Sequence, residues 1–155
     1  MSDFSIDSVS RKHVVISGGG SGVGEQIAAQ FASSGAKVTI LGRRQSNLDT
    51  VAAVTGALPI VCDVTDAGSV EAAMQNARSE HGPIAIAVAN AGSAISKPFA
   101  ATTATDFSNM MGVNALGVFN LWQSSLADMR ELKCCLLYTS PSPRDATLSR
   151  MPSSA

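Results

Sequence analysis

The feature that most constrains this chain is a glycine-rich turn between a strand pattern and a helical pattern. Residues 14–16 are all β-branched, five of residues 18–24 are glycine, and the next eight residues have apolar positions at helical spacing. A strand, a glycine turn and a helix in this order gather free backbone N–H groups at the positive end of a helix dipole, which suits an anion. Gly18 allows a tight turn, Gly22 lets the backbone approach a phosphate, and Gly24 lets the helix lie close to the strand. This context favours a nucleotide site over a flexible loop.

The rest of the chain repeats the alternation of strand and helix. After the first strand, further strands are predicted at 37–41, 58–62 and 84–89, and helical patterns lie between them and again at 104–107 and 109–132. Either Thr65 or Asp66 is expected to cap the helix that follows the third strand. Crossovers of this length are right-handed and give a parallel sheet with helices on both faces. We therefore predict an α/β fold with three layers, a Rossmann-type doubly wound sheet.

Polar or glycine residues follow each predicted strand, where ligands of such sheets bind. After the second strand the chain reads Gly42-Arg43-Arg44, and no Asp or Glu lies between Glu25 and Asp49. Two guanidinium groups without a carboxylate suit a ribose 2′-phosphate, so NADP(H) is favoured as the cofactor and NAD(H) remains possible. The alternative is that both arginines only end the strand and stay solvated.

The ends of the third and fourth strands each allow two interpretations. Asp63 could accept a hydrogen bond from an adenine amino group, or it could cap the next helix. The segment Asn90-Ala91-Gly92 could be an ordinary turn. Alternatively, Gly92 keeps the floor of a cofactor site open while Asn90 ties neighbouring strands together.

Four other polar residues lie outside these strand ends. Asn114 lies in an otherwise apolar helical pattern, and a buried Asn needs partners, so we expect it to cap a kink or to organise a proton path. His13 and His81 are expected on the surface, and Lys97 has no partner that the sequence can supply. No pair of residues has the spacing of metal ligands, so we expect no metal site.

Composition limits the class of protein. The chain has 155 residues and a net charge of −1, which suits one domain and offers no basic surface for nucleic acid or an anionic membrane. The longest apolar run, 84–89, is far too short to span a bilayer, and the polar residues 1–10 are not expected to form a signal peptide. Three cysteines without framework spacing predict a reduced, cytoplasmic setting.

Four ordered motifs resemble the short-chain dehydrogenase/reductase family, specifically its classical branch. Residues 17–24 resemble the Thr-Gly-x-x-x-Gly-x-Gly loop of the family, with Ser17 in place of Thr. Asp63-Val64 resembles the pair that contacts adenine, Ala89 to Gly92 resembles Asn-Asn-Ala-Gly, and Val113-Asn114 falls where the family has its catalytic Asn. The resemblance covers about residues 11–133. It implies that a dinucleotide cofactor contacts Ser17, Gly18, Ser21, Gly22, Val23, Gly24, Arg43, Arg44, Asp63, Val64, Asn90, Ala91 and Gly92.

The resemblance also implies a reaction. Members of the family transfer a hydride between a nicotinamide and a small carbonyl or alcohol substrate. A Tyr donates or accepts the proton, a Lys four residues later lowers the pKa of that Tyr, a Ser orients the substrate, and an Asn holds a water in the proton relay. Asn114 is implied to be that Asn. Full-length relatives are expected to be homo-oligomers, and the substrate of this chain is unknown.

The last part of the chain departs from the family. The only tyrosine is Tyr138, Ser142 stands four residues later, and no lysine follows Lys133. We therefore expect a sheet that ends after the fourth strand and its following helices, with an exposed edge, marginal stability and no dehydrogenase activity. Residues 1–133 are expected to be an incomplete NAD(P)-binding Rossmann domain, and 134–155 a disordered, non-native tail.

The composition of this tail suggests an origin for it. Back-translated, residues 135–145 and 149–155 resemble parts of a common transposase-type sequencing adapter. We therefore expect residues 134–155 to be translated adapter joined to a truncated gene, and not to contribute to the fold.

Two other functions are compatible with parts of the sequence. A non-catalytic dinucleotide-binding or regulatory module would also lack the Tyr and Lys, but it should have a natural, folded C-terminus. A methyltransferase-like nucleotide fold would require an acidic residue after the second strand, where this chain has Arg43 and Arg44.

Overall fold

The structure, a computed structural model, describes residues 9–133 and 136–139 of the chain. Within these residues, all strands pair in parallel in one sheet, in the order β3-β2-β1-β4-β5. The strands are β1 (His13–Ser17), β2 (Lys37–Gly42), β3 (Leu58–Val61), β4 (Ile84–Ala89) and β5 (Leu136–Thr139). The central strands β1 and β4 are buried along their whole length, which explains why their sequences are apolar at nearly every position and do not alternate.

Helices cover both faces of the sheet. They are α1 (Gly22–Ser33), α2 (Gln45–Thr55), α3 (Ala67–His81), α4 (Ala104–Met111) and α5 (Gly117–Glu131). A 3-10 turn, Phe99–Ala101, precedes α4, and a π-helical turn, Gly112–Leu116, joins α4 to α5. Among the described residues, no helix has the length and apolar character needed to cross a membrane.

Side chains of successive strand residues enter two separate cores. Val14 and Ile16 of β1 pack with residues of α1 and α2, whereas Val15 packs with residues of α3 and α5. This alternation follows from the two-residue period of a strand. Together with the parallel pairing, it makes the three-layer α/β architecture, so the prediction of a Rossmann-type doubly wound fold is confirmed.

The order of the strands places a crevice at the end of β1. After β1, the chain forms β2 and β3 on one side of β1 within the sheet. It then crosses back and forms β4 on the other side of β1. Loops after β1 and β4 therefore diverge at the carboxyl edge, which is the topological switch point where ligands of such sheets bind.

The edge of the fourth strand differs from the prediction. We expected the sheet to end with β4, but Leu136–Thr139 pairs with it in parallel, with Ile86 opposite Leu136 and Ala89 opposite Thr139. Leu137 is half-buried against the core that contains α3 and α5. The prediction was wrong here because the pairing uses backbone N–H and C=O groups, which every residue except proline supplies. Residues 134–135 and 140–155 of the predicted tail lie outside the described residues.

His13 also differs from the prediction, because it is buried and not on the surface. It is the first residue of β1 and only 2% exposed. Nδ1 lies 2.8 Å from the carbonyl oxygen of Gly82, and Nε2 lies 2.9 Å from Oγ1 of Thr39. With Nδ1 donating to the carbonyl, Nε2 accepts from the hydroxyl, so the buried ring has both nitrogen atoms paired. Burial lowers the pKa of His13 to about 4.

Candidate cofactor site

A cleft of about 1240 Å³ opens at the carboxyl edge of the sheet. It lies at the switch point, and the loops after β1, β2 and β4 all contribute to it. Its lining residues are Gly18, Gly20, Ser21, Val23, Gly42, Arg43, Arg44, Asn47, Asn90, Ala91, Gly92 and Ala94. Eight of the thirteen residues predicted to bind the cofactor therefore meet in one cleft, although they come from three separate parts of the sequence.

Two glycines of the turn after β1 are required by close packing. Gly18 has a φ of +67°, and a Cβ added there would lie 2.9 Å from Cα of Ala91. At Gly24 an added Cβ would lie 2.5 Å from Nδ2 of Asn90 and would also meet the carbonyl oxygen of Gly18. A side chain at either position would therefore push the turn away from the loop after β4.

The space above the turn is open. A Cβ added at Gly22, which has a φ of +58°, would have no atom within 4 Å. Ser21 is the N-cap residue of α1, but its side chain makes no capping hydrogen bond. The first N–H groups of α1 thus face the cleft without a side-chain acceptor from the described residues, which is the arrangement that binds phosphate.

Ser17 and Asn90 join the loops on the two sides of the switch point. The Ser17 hydroxyl accepts hydrogen bonds from the backbone N–H of Asn90 and of Ala91, each at 3.1 Å. Nδ2 of Asn90 lies 3.2 Å from the carbonyl oxygens of both Ser17 and Gly18. The prediction that Asn90 ties neighbouring strands together is confirmed by these contacts.

A second uncapped helix begins at the cleft. Arg44 is the N-cap residue of α2 and makes no capping hydrogen bond with its side chain. Arg43 and Arg44 are exposed, while Asn47 in the first turn of α2 is half-buried. By contrast, α3 is capped by Asp66 and α4 by a capping box of its own side chains. Positive charge is therefore concentrated at the end of β2.

Asp63 lies at the end of β3 and not among the residues that line the cleft. Its Oδ1 accepts hydrogen bonds from the backbone N–H of Thr65 at 3.0 Å and from the Thr65 hydroxyl at 2.8 Å. These bonds, with a smaller contribution from the charge of Arg43, lower the pKa of Asp63. Asp66, and not Asp63, caps α3, since its side chain accepts from the N–H groups of Gly68 and Ser69. Asp63 is thus held ionised beside the cleft.

Asn114 is exposed, and the expectation that it is buried in its helix was wrong. It lies in the π-helical turn, and its Oδ1 accepts from the N–H of Ser93 at 2.8 Å. Nδ2 donates to the carbonyl oxygen of Ser93 at 2.9 Å. The side chain therefore holds the loop after β4 from the helix side, and the irregular turn in which it lies agrees with the predicted kink.

Other predicted residues lie outside the cleft lining, and some lining residues were missed. Ser17 and Gly24 are buried behind the glycine turn, and Val64 is buried in the core next to α5. Roles of all these residues as cofactor ligands stay predictions.

The sequence did not lead to a predicted cofactor contact for Gly20, Gly42, Asn47 or Ala94, which line the cleft. The position of Asn47, in the first helical turn after two arginines, was the one signal that could have identified it.

Lys97 has a partner that the sequence did not supply. Its ammonium group forms an ion pair with Oδ2 of Asp106, which also accepts from the N–H and hydroxyl of Thr103. The hydrogen bond from Lys97, followed by those from Thr103, lowers the pKa of Asp106 to about 2. The loop between β4 and α4 is therefore attached to the first turn of α4.

The family model described as short chain dehydrogenase matches residues 12–134. Among curated proteins, the chain is 38% identical over 112 residues to probable oxidoreductase EphD of Mycobacterium tuberculosis. The match covers 69% of this chain and 19% of that protein.

Two similar solved structures contain a nicotinamide nucleotide. One is 3-ketoacyl-(acyl-carrier-protein) reductase from Brucella melitensis complexed with NADH, with a TM-score of 0.77 and 32% identity over 79% of this chain and 52% of that one. Another is an alcohol dehydrogenase from the archaeon Thermococcus sibiricus complexed with 5-hydroxy-NADP, with a TM-score of 0.74 and 28% identity over 79% and 55%. The chain thus spans about half the length of these two proteins.

Proposed function

Because the chain belongs to the short-chain dehydrogenase family, we propose that its cleft binds a nicotinamide dinucleotide and that NADP(H) is preferred to NAD(H). The observation that carries this proposal is the meeting of the glycine turn, two uncapped helix starts and two arginines in one cleft. Such a cleft suits a ligand with several phosphate groups.

The residues present fit the parts of a dinucleotide. The open space above Gly22, next to the free N–H groups of α1, would receive the pyrophosphate. Gly92 and Ala94, in the loop after β4, line another part of the cleft, where the nicotinamide would lie. Relatives with bound NADH and with a bound NADP derivative show that the family accommodates both cofactor classes.

The preference for NADP(H) rests on the end of β2. Arg43 and Arg44 line the cleft, and the uncapped start of α2 adds the positive end of a helix dipole. Asn47 adds an amide group on the same turn. A 2′-phosphate would be held there by charge-assisted hydrogen bonds, whereas no carboxylate is among the described residues that line the cleft to receive ribose hydroxyls.

The reaction class of the proposal is hydride transfer between a carbonyl or alcohol carbon and the cofactor. The nicotinamide supplies or accepts the hydride when it is bound. In this chain, Ser17 and Asn90 hold the two sides of the cleft together, and Asn114 fixes the loop after β4 and is proposed to hold a water in the proton relay. The substrate, a small carbonyl or alcohol, is not assigned further. We propose a cytoplasmic location from the cysteine usage.

The chain as it stands is proposed to bind cofactor without turning over a substrate. Its only tyrosine, Tyr138, is followed four residues later by Ser142, so no Tyr–Lys pair is available for proton transfer. The same observation favours a second candidate function, a non-catalytic dinucleotide-binding or regulatory module.

Titration of the purified 155-residue chain with NADPH, NADH and S-adenosylmethionine tests the proposal. Nicotinamide fluorescence reports the first two ligands and calorimetry reports all three. We expect NADPH to bind at least about tenfold more tightly than NADH, since a charge-assisted pair contributes about 1.5–3 kcal/mol. Binding of S-adenosylmethionine alone would contradict the proposal. NADPH-dependent reduction of any carbonyl in a broad panel would contradict the proposed lack of turnover.

A further inference from the structure

One side of α5 contacts the loop that follows β3. Asn120 is only 6% exposed, and its Nδ2 donates a hydrogen bond of 2.9 Å to the carbonyl oxygen of Val64. One turn earlier, a Cβ added at Gly117 would lie 2.6 Å from Cγ2 of Val64. The helix therefore reaches Val64 by both a buried hydrogen bond and a close backbone approach.

The contacts continue from Val64 to the carboxylate beside the cleft. A Cβ added at Gly112, in the π-helical turn, would be in ordinary contact with Cγ2 of Thr65 at 3.6 Å. Thr65 in turn donates two hydrogen bonds to Oδ1 of Asp63. The side of α5 that carries Gly117 and Asn120 thus contacts the segment that carries Asp63, although it is distant from it in sequence.

The hydrogen bond of Asn120 restricts the position of the Val64 carbonyl because it is buried. A buried backbone carbonyl without a donor is unfavourable by about 1–3 kcal/mol, so the carbonyl of Val64 is held to this one position. The strand β3 is at the edge of the sheet and has a neighbouring strand on one side only. The loop after it therefore has no strand beyond it on one side, and its contacts with α5 help to fix its position.

We propose that Asn120 is a positioning residue for the adenine end of the cofactor, because by holding Val64 it sets where the Asp63 carboxylate lies. This inference rests on the proposed function and on the sequence-based expectation that Asp63 accepts a hydrogen bond from the adenine amino group. Asn120 itself does not touch the cofactor; it acts through the Val64 carbonyl and the segment that includes Thr65.

The test compares NADPH with reduced nicotinamide hypoxanthine dinucleotide phosphate, in which a carbonyl replaces the adenine amino group. The unaltered chain should bind NADPH about tenfold more tightly, as expected for one hydrogen bond to a charged acceptor. In Asn120→Ala the ratio of the two dissociation constants should fall to about twofold, mainly through weaker NADPH binding. A general loosening of the fold would weaken both ligands together and leave the ratio unchanged.

Ser125→Ala is the matched control on the same helix. Its hydroxyl is fully buried and donates to the carbonyl oxygen of Leu121 at 2.7 Å. This hydrogen bond stays within α5 and does not reach the loop after β3. This variant should keep the tenfold ratio. If Asn120→Ala does not fold, Gly117→Ala displaces Val64 sterically and should lower the ratio in the same way.

The outcomes separate this inference from the proposed function. An unchanged ratio in the folded variants, or equal binding of both nucleotides by the unaltered chain, would overturn the role of Asn120 while leaving cofactor binding intact. Failure of the unaltered chain to bind either nucleotide would overturn the proposed function itself.

Discussion

Ser17 and Asn90 fasten the carboxyl ends of β1 and β4 to each other at the mouth of the cleft. The Ser17 hydroxyl accepts from two successive backbone N–H groups, and the Asn90 amide donates to two successive carbonyl oxygens. Ser17 is 2% exposed, so water cannot replace a lost partner without entering the core. Four hydrogen bonds therefore join the two sides of the proposed cofactor site.

Replacing Ser17 tests this connection. Ser17→Ala should lower the free energy of unfolding by about 1–3 kcal/mol, because the N–H groups of Asn90 and Ala91 lose their acceptor. NADPH affinity should fall as the loops separate. Ser17→Thr keeps the hydroxyl and should stay close to the unaltered chain in both measurements. Urea unfolding and fluorescence titration provide them, and an Ala variant as tight-binding as the Thr variant would contradict the connection.

The arginines after β2 should decide between the two cofactors. Arg43→Ala and Arg44→Ala should each weaken NADPH binding by about tenfold, the effect of one charge-assisted contact, and should leave NADH binding nearly unchanged. Arg130→Ala, an exposed arginine on α5 outside the cleft, is the control. Equal losses for NADPH and NADH would mean that these residues do not recognise the 2′-phosphate.

Stability should decrease in mild acid because of His13. Burial lowers its pKa from 6.5 to about 4, so below pH 6.5 the unfolded chain binds a proton that the folded chain does not. The contribution of His13 to the free energy of unfolding should therefore be fully present above pH 6.5. It should fall by about 3 kcal/mol as the pH decreases to 4. The pKa of His81, whose ring stacks on His13 at 5.2 Å, is lowered mainly by burial and adds a smaller effect of the same sign.

Urea unfolding at several pH values measures this loss. His13→Asn should be less stable than the unaltered chain at pH 7, and its stability should vary less between pH 6.5 and 4. The carboxyl groups with lowered pKa, Asp63 and Asp106, have their effect near and below their unfolded pKa of 3.8, so they do not explain a loss at pH 5–6. An identical pH profile in His13→Asn would assign the loss to other groups.

Asp128 connects α5 to α3 and to the start of β4. Its Oδ2 accepts from Nε of Arg78 at 2.8 Å and from the N–H of Ile84 at 3.0 Å. Asp128→Ala should lower the free energy of unfolding by about 3 kcal/mol, since it leaves a partly buried guanidinium and a buried N–H without this acceptor. Asp128→Asn keeps an acceptor and should lose less, and Glu131→Ala, exposed on the same helix, should change little. A loss in Asp128→Ala as small as in Glu131→Ala would show that the pair contributes nothing.

Local patterns were sufficient to predict the positions of most elements. The glycine turn, the apolar strands and Gly35, which has a φ of +76° just after α1, are properties of short segments, and the structure has each of them where expected. The convergence of Gly18, Arg43 and Asn90 followed from one topological rule about the carboxyl ends of parallel strands.

Residues whose partners are distant in sequence were predicted poorly. His13 was expected on the surface because its acceptor at Gly82 is 69 residues away and its other partner, Thr39, is on the next strand. Lys97 and Asp106 are separated by an irregular loop whose path no periodicity describes. The strand β5 was missed because its pairing uses backbone groups, and these are the same in every sequence except at proline.

The π-helical turn at Gly112–Leu116 also sets the rotational phase between α4 and α5. The N–H of Gly117 donates to the carbonyl of Gly112, five residues earlier, so one residue more than usual fits into this turn. Each residue of an α-helix rotates the next side chain by about 100°, and the extra residue shifts everything after it by that angle. Asn114 hydrogen-bonds the loop after β4, whereas Asn120, beyond the turn, hydrogen-bonds the loop after β3. The continuous helical segment from α4 to α5 therefore contacts two loops that lie on opposite sides of the switch point.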